Sequence, residues 1–453
     1  MSKLINNSIA LQTIGYIKPT WYFHFLPFNN RSIFLDYRKA SKDKQKIISY
    51  DDEYITEDAK LWDAAFQGLN KGVLPSPEEQ LDKISSLQIV TMDLYRILRK
   101  YYKNIWVIYV FIIRLFLIGH PFKELKCFLY TRKIKRVALF KPSFEYPDYH
   151  TISSALIETS PIVSVIIPTL NRYESLSELL LDLENQKHTN YELIIIDQSD
   201  NYNKNFYKEY NLRIKLIRQE EKALWKARNR GVLEAKSDIL IFLDDDSRIN
   251  DDWIIHHLKC IDFFSADISA GVSFSVIGEK VPENYSFFRL ADQLDTGNVL
   301  IKKEVFEKCG LFDRQFEKQR MGDGEFGLRA YLHGFKCISN PYAIRIHLKH
   351  NKGGLREMGS WDSFRPTSWT QPRPVPSVLY FWRKYWGNKA AIFSCLITIP
   401  FSLLPYRFKG NPGGHLISCL IYILLFPIVV IQVIFSWRQS TNMIKQGSII
   451  DKL

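Results

Sequence analysis

The chain has 453 residues and carries 61 Lys+Arg against 48 Asp+Glu, a net charge of +13. With 46% hydrophobic and 24% charged residues, it is neither a disordered chain nor a many-span transporter, and no repeat or low-complexity tract points to an array. The length suggests about three domain-sized units.

Cys127, Cys260, Cys309, Cys337, Cys395 and Cys419 form no Cys-x-x-Cys pair, so a thiolate zinc site or redox motif is not expected. Residues 1–10 lack a basic stretch followed by a long apolar run, so no secretory signal is expected. Both features favour the cytosol for the main body. The basic balance admits nucleic acid, an anionic membrane face or anionic substrates. No nucleic-acid motif is present. Basic residues instead lie beside apolar runs: Arg96, Arg99, Lys100 and Lys103, then Arg132, Lys133, Lys135 and Arg136, then Arg383, Lys384 and Lys389. That placement favours a membrane surface over a merely solvated face.

Residues 1–150 read as an N-terminal domain of unknown role. Ser76-Pro77-Glu78-Glu79 has the form of a capping box with proline at the first helical position. An amphipathic helix is expected to follow through Leu81, Ile84, Leu87, Val90, Leu94 and Ile97. Residues 105–118 are apolar except for Arg114, which suits a core or an interfacial helix and falls short of the roughly 20 residues a span needs.

From Pro161 onward, short apolar strands alternate with amphipathic stretches. Strands are expected at 162–167, 193–196, 214–217 and 239–243, and helices at 174–183 and 223–235. Val/Ile/Leu runs separated by helices imply a mainly parallel α/β sheet covered on both faces. Ligands of such sheets sit at the carboxyl ends of the strands.

Those ends are polar here. The first strand ends in Pro168-Thr169-Leu170-Asn171-Arg172 and the second in Asp197-Gln198-Ser199-Asp200. The fourth ends in Leu243-Asp244-Asp245-Asp246. Three adjacent carboxylates repel one another, and a hard divalent cation, Mg²⁺ or Mn²⁺, relieves that repulsion while leaving positions for substrate phosphates. Asp244 and Asp246 alternate and can share a face in extended backbone. A solvated acidic turn is the bland alternative. No Gly-x-Gly-x-x-Gly or Walker A motif occurs here, so neither a dinucleotide fold nor a P-loop is expected.

Taken together, Val163 to Arg172, Ile196-Asp197, Ala227-Arg228-Asn229-Arg230-Gly231 and Phe242-Leu243-Asp244-Asp245-Asp246 resemble a family 2 glycosyltransferase of the bacterial polysaccharide-assembly type. The resemblance covers about residues 160–350 and continues through Thr296-Gly297-Asn298, Gly310-Leu311-Phe312-Asp313 and residues 322–329. It implies a GT-A, Rossmann-like nucleotide-diphospho-sugar transferase fold with an N-terminal extension and C-terminal membrane-associated helices. Asp197 then matches the nucleoside-contacting acid, with Pro168, Thr169, Asn171, Asp244 and Asp245 around the donor. Asp246, with Asp244, matches the metal-holding Asp-x-Asp pair, and Arg228 lies near the donor. Asp323 matches the general base, with Glu325 in reserve. His347 matches a late histidine that approaches the metal or diphosphate, with His350 as its rival.

Three departures stand out. Gln198 follows Asp197 where many relatives carry a second Asp. Gly322 precedes Asp323 where the family has Glu. No Gln-x-x-Arg-Trp motif follows residue 350, which argues for single-sugar transfer. Lys349, Lys352 and Arg356 surround Gly353-Gly354 and could meet a diphosphate of the donor or of a lipid carrier. Trp225, Trp361, Trp369 and Trp386 suit sugar stacking, membrane interfaces or plain packing.

Residues 351–389 read as an amphipathic, interfacial connector. Residues 390–406 are uncharged and marginal for a span, and 413–437 are uncharged over about 25 residues, long enough to cross. One or two crossings, or a buried hairpin, all fit, and residues 438–453 form a basic tail. The expectation is an enzyme: a metal-dependent inverting glycosyltransferase on the cytosolic face of the inner membrane. It takes a nucleotide-sugar donor and a polyprenyl-linked or other glycan acceptor, in capsule, exopolysaccharide or O-antigen assembly. A catalytically silent membrane-tethered scaffold and a nucleotidyltransferase are the alternatives.

Overall fold

A computed structural model describes residues 14–81, 87–117, 120–276, 282–292, 294–348, 363–366, 368–404 and 412–453. Lys349, His350, Lys352, Gly353, Gly354, Arg356 and Trp361 lie outside these residues. The chain divides into two compact units. One comprises residues up to 145 with 287–290 and 386–394, and the other comprises 146–286, 291–385 and 395–453.

The first unit is helical. Ser76 does form the expected capping box with Glu79, but only a single 3-10 turn, Pro77–Glu79, follows it. Glu79 also accepts from the Ser41 amide at 3.1 Å, and the Leu81 amide bonds to Phe34 O at 2.8 Å. These contacts take the chain away from the helical path, and the helix proper begins later. α1 (Thr91–Tyr101), α2 (Asn104–Leu117) and α3 (Pro121–Tyr130) pack around Tyr95, Leu98, Val107, Val110 and Cys127. Arg114, the charge inside the apolar run, is neutralised by a bidentate pair with Glu124 at 2.8 and 2.9 Å.

The second unit is a mixed α/β layer structure. Its strands are β1 (Val163–Thr169), β2 (Tyr191–Asp197), β3 (Ile214–Arg218), β4 (Ile239–Leu243), β5 (Ser247–Ile249) and β6 (Ile268–Ser275). β8 (Asn298–Lys302) and β9 (Cys337–His347) come next in this unit, while the two-residue β7 (Arg289–Leu290) between β6 and β8 in the chain belongs to the first unit. Eight of them follow the order β3-β2-β1-β4-β8-β6-β9-β5. The first four are parallel, as their Val/Ile/Leu-rich runs imply, and every residue of β1 and β4 is buried. β8 then runs antiparallel to β4 and β6. All four expected strands and both expected helices are present. The helices are α4 (Tyr173–Glu184) and α5 (Leu224–Glu234).

Two features of this topology build the site. The chain moves outward from β1 to β2 and β3, then returns to place β4 on the other side of β1. The ends of β1 and β4 therefore flank the crevice where strand order reverses. Further on, β5 pairs antiparallel with β9, Ser247 opposite His347, and the Leu348 amide bonds to Asp246 O at 2.9 Å. That register carries the late histidine back to the acidic turn.

The C-terminal helices differ from the one or two crossings weighed from the sequence. Among the described residues no single helix is long and apolar enough to cross a membrane. The helix expected over 390–406 is Gly387–Thr398, followed by a 3-10 turn at Pro400–Ser402. The segment expected over 413–437 is broken at Leu425. Its two parts, Ile417–Leu424 and Phe426–Gln446, meet at 81°. The connecting loop at 405–411 lies outside the described residues.

Candidate active site

A cavity of about 270 Å³ opens at the carboxyl ends of β1 and β4. Pro168, Arg228, Asp244, Asp245, Asp246, Asp323 and His347 all line it. Seven residues named from separate stretches of sequence thus converge on one crevice.

Burial puts the three consecutive carboxylates under strain, and guanidinium groups relieve it. Arg228 Nη2 donates to Asp244 Oδ1 at 2.8 Å, and Arg345 Nη1 donates to Asp244 Oδ2 at 3.0 Å. Burial alone would raise the Asp244 carboxyl, but Arg345, Arg228 and His347 outweigh it and hold that carboxyl well below the usual range. Arg172 Nη1 bridges Asp245 Oδ1 at 3.0 Å and Asp246 Oδ2 at 2.9 Å. Asp245 also accepts from Thr169 Oγ1 at 2.9 Å. Its burial still dominates, and its carboxyl is pushed up to about 6.

Asp246 is buried, with Oδ2 3.3 Å from His347 Nε2 and taken up by Arg172. Its Oδ1 has no hydrogen-bond partner among the described residues. A buried carboxylate oxygen left unpaired beside an imidazole suits a divalent cation. No cluster of three or more His, Cys, Asp or Glu side chains is arranged for a metal among the described residues. The chain would therefore supply Asp246 and His347, with phosphates and water completing the set, as Mg²⁺ and Mn²⁺ commonly accept. Asp244, expected beside Asp246 as a ligand, is instead engaged by two arginines.

Asp323 lies in the first turn of α6 (Gly322–Leu332) and accepts from Thr296 Oγ1. Burial, opposed by Arg228 and reinforced by Asp295, pushes its carboxyl up to about 6. Gly322, the departure from the family's Glu, has a steric reason. A Cβ there would stand 2.2 Å from the Trp225 ring. Trp225 in turn donates Nε1 to Phe316 O at 3.0 Å and lies under the Arg228 guanidinium, 5.0 Å away. Met321, just before the helix, holds a left-handed φ of 75°, a conformation often stored at functional sites.

Other expected residues lie elsewhere. Glu325 points away from the cavity into a buried cluster. It accepts from Arg329 Nη2 at 2.9 Å, Lys384 Nζ at 3.0 Å and Tyr385 OH at 2.6 Å. A carboxylate so engaged is not free to take a proton from an acceptor. Asp197 is buried, does not line the cavity, and accepts from Tyr173 OH at 2.6 Å and Tyr207 OH at 2.8 Å. Asn171, at a left-handed φ of 54°, pairs with Asp200 and the Ser199 hydroxyl. Thr169 reaches the site only through Asp245.

Arg345 was not singled out from the sequence. It is buried and links Asp244 to Asp295, whose Oδ2 it meets at 3.0 Å, and it also donates to Gly297 O at 2.8 Å. The Gly of Thr296-Gly297-Asn298 is needed there, because a Cβ would fall 2.1 Å from Arg345 Nη1. Its signal was alternation: Arg345 and His347 are two apart on one strand and share a face.

Residues 164–316 match the family model described as Glycosyl transferase family 2. The chain carries a family 2 glycosyltransferase domain. Among curated relatives, the glycosyltransferase domain is similar to Glycosyltransferase AglE of Haloferax volcanii. The two are 29% identical over 170 residues, which is 35% of this chain and 55% of the relative. It is also similar to a dolichol-phosphate mannosyltransferase of Pyrococcus furiosus, 36% identical over 133 residues, 28% of this chain and 37% of the relative. Chondroitin synthase of Pasteurella multocida is 28% identical over 234 residues, 40% of this chain and 24% of the relative. The chain thus spans about half or less of the length of these relatives. Among solved structures, S. aureus TarS 1-349 in complex with UDP-GlcNAc aligns with a TM-score of 0.41 and 18% identity, over 63% of this chain and 92% of that one.

Proposed function

We propose that this chain is a membrane-associated, inverting glycosyltransferase. It moves one sugar from a nucleotide-sugar donor to a lipid-linked glycan acceptor during assembly of a surface polysaccharide, at the cytosolic face of the membrane. The observation that carries this reading is the placement of Asp323. It is a half-buried carboxylate raised to about 6, in the same cavity as a cation-ready Asp246–His347 pair and the Arg228 guanidinium.

Each group has a chemical task. Inversion needs one base on the acceptor side and charge neutralisation on the leaving-group side. Asp323, ionised above pH 6, can accept the acceptor hydroxyl's proton as that oxygen attacks the sugar's anomeric carbon. Arg228 retains a buried Nε without a partner among the described residues and can meet the departing diphosphate. A divalent cation, held by Asp246 and His347, would supply further positive charge there. The lipid-borne acceptor is supported by the exposed apolar C-terminal helices and by the Pyrococcus relative, by its name a dolichol-phosphate mannosyltransferase. Polysaccharide assembly is supported by the chondroitin synthase relative.

The test is nucleotide release from a panel of nucleotide sugars by detergent-solubilised protein, with Mg²⁺ or Mn²⁺ and with EDTA. Metal-dependent release of a nucleoside diphosphate from one donor, lost in Asp246→Asn, is expected. Release of pyrophosphate would instead indicate a nucleotidyltransferase. No release from any donor, with a membrane lipid extract present, would favour the silent scaffold.

A further inference from the structure

The last helix is built inside out. α7 (Phe426–Gln446) buries Gln432, Ser436 and Ser440 along with Val429 and Met443, and exposes Phe426, Ile428, Ile431, Ile434 and Phe435, each 40–51% accessible. The inward polar groups are all satisfied within the same unit. Gln432 accepts from Arg373 Nε at 3.1 Å and donates to Trp369 O at 3.0 Å. Ser436 Oγ donates to Pro374 O at 2.6 Å, and Ser440 Oγ accepts from Arg383 Nη1 at 2.6 Å. A helix facing water shows the reverse arrangement. The preceding segment continues the apolar surface across the bend: Ile417, Leu420, Ile423 and Leu424 are 52–79% exposed.

This surface has a polarity along its length. Its apolar residues end at Phe435, and Trp437 follows with the Arg383 guanidinium 4.3 Å from its ring centre. Exposed Arg438 and Lys445 come next, and Trp369, bonded to mid-helix Gln432, is 57% exposed. An aromatic and cationic collar below an apolar tip matches the headgroup layer above hydrocarbon. A protein partner would not require that order, and the chain's charge of +13 complements anionic lipid. Residues 426–435 rise about 15 Å as a helix, half the roughly 30 Å of a bilayer core. An 81° bend at the deep end leaves room for both arms to lie on one side.

We infer that the bent pair formed by Ile417–Leu424 and Phe426–Gln446 is a one-leaflet membrane wedge that enters and leaves the bilayer on the catalytic unit's side without crossing it. This rests on the membrane-associated reading above and is independent of which group is transferred.

Two measurements test it. In flotation with vesicles of phosphatidylcholine and phosphatidylglycerol, the full chain rises with lipid, and Ile431→Asp/Ile434→Asp lowers the bound fraction at least about tenfold. The variant's metal-dependent nucleotide release in detergent stays unchanged. For topology, Leu404→Cys, a partly exposed position before the bent pair, or Arg438→Cys is placed in a Cys419→Ser background in proteoliposomes and treated with a membrane-impermeant maleimide. Labelling of both positions from the outer side, in the molecules whose catalytic unit faces out, is the expected result. Labelling of Arg438→Cys alone would mean a crossing and overturn the wedge. Failure of the full chain to float, with a dimer in solution that the double variant dissolves, would assign the face to a second copy and also overturn it. Flotation without nucleotide release would leave the wedge standing and sink the enzymatic reading.

Discussion

The cavity and the last helix both bury polar side chains, and they do so for opposite ends. In the cavity, burial leaves charge under tension: Asp245 and Asp323 are raised to about 6, and Asp246 Oδ1 has no partner among the described residues. In α7, burial leaves none: Gln432, Ser436 and Ser440 are neutral and each is hydrogen-bonded. Unsatisfied burial marks where chemistry is proposed, and satisfied burial marks where the structure merely turns its apolar side outward. The contrast can be broken at the cavity, at a buried charged cluster that resembles neither, and at the helix.

The largest effect is expected at Asp323. Asp323→Asn removes the proposed base and should lower transfer about 10²–10⁴-fold with little change in donor binding. In the unchanged protein, transfer should fall about tenfold per pH unit below pH 6, as the carboxyl gains its proton. The linkage runs against stability. An acid raised in the native state binds more protons folded than unfolded, so stability drops as pH rises from about 4 through 6. Asn has no such proton. The variant should therefore be more stable at pH 8 by on the order of 3 kcal/mol and equal below pH 4. Thermal unfolding at the two pH values checks this, and an unchanged or lower melting temperature at pH 8 would mean the carboxylate is not strained.

Much of this was legible in the sequence where hydrophobic runs and motifs agree. The four parallel strands and their helices came from periodicity, and the acidic turn came from its position after a strand. Asp323 and His347 were found only through the family resemblance, because an acid between two glycines and a lone histidine carry little signal alone. Arg172 and Arg345 went unassigned, since nothing local shows which acid a distant arginine will neutralise. Glu325 sits two residues from Asp323 and stood in reserve for it on the sequence alone. A helix turns about 200° over two residues, so it faces the opposite side. The C-terminal break was hidden because an uncharged run reports length and not direction.

Glu325 offers the next effect in size. Burial would raise it, but Arg329, Lys384 and the Tyr385 hydroxyl outweigh that and lower it to about 2. A depressed acid contributes stability above its unfolded value near 4.5, and that stability is lost as pH falls toward 2. Glu325→Gln should therefore cost on the order of 3 kcal/mol at pH 7, with the difference shrinking as pH is lowered below 4.5. Per molecule folded, its pH–rate profile should keep the limb at 6. Loss of that limb in Glu325→Gln, and its survival in Asp323→Asn, would move the base from one carboxylate to the other.

The smallest effect belongs to the helix. Ser436→Ala removes one hydrogen bond to Pro374 O and leaves that carbonyl buried, a loss of about 1 kcal/mol in detergent. Ser436 is buried, so the exposed apolar face is untouched and lipid binding should match the unchanged chain. Ser436→Leu on the same buried face adds volume where Gln432 and Ser440 pack, and should cost about 1–3 kcal/mol through crowding. A helix whose Ser436 side faced lipid would show the reverse: Leu at that position would strengthen vesicle binding and leave thermal stability alone. Unfolding and flotation of the same two variants therefore decide which side of α7 is the interior, and with it whether this helix is polar inward by construction.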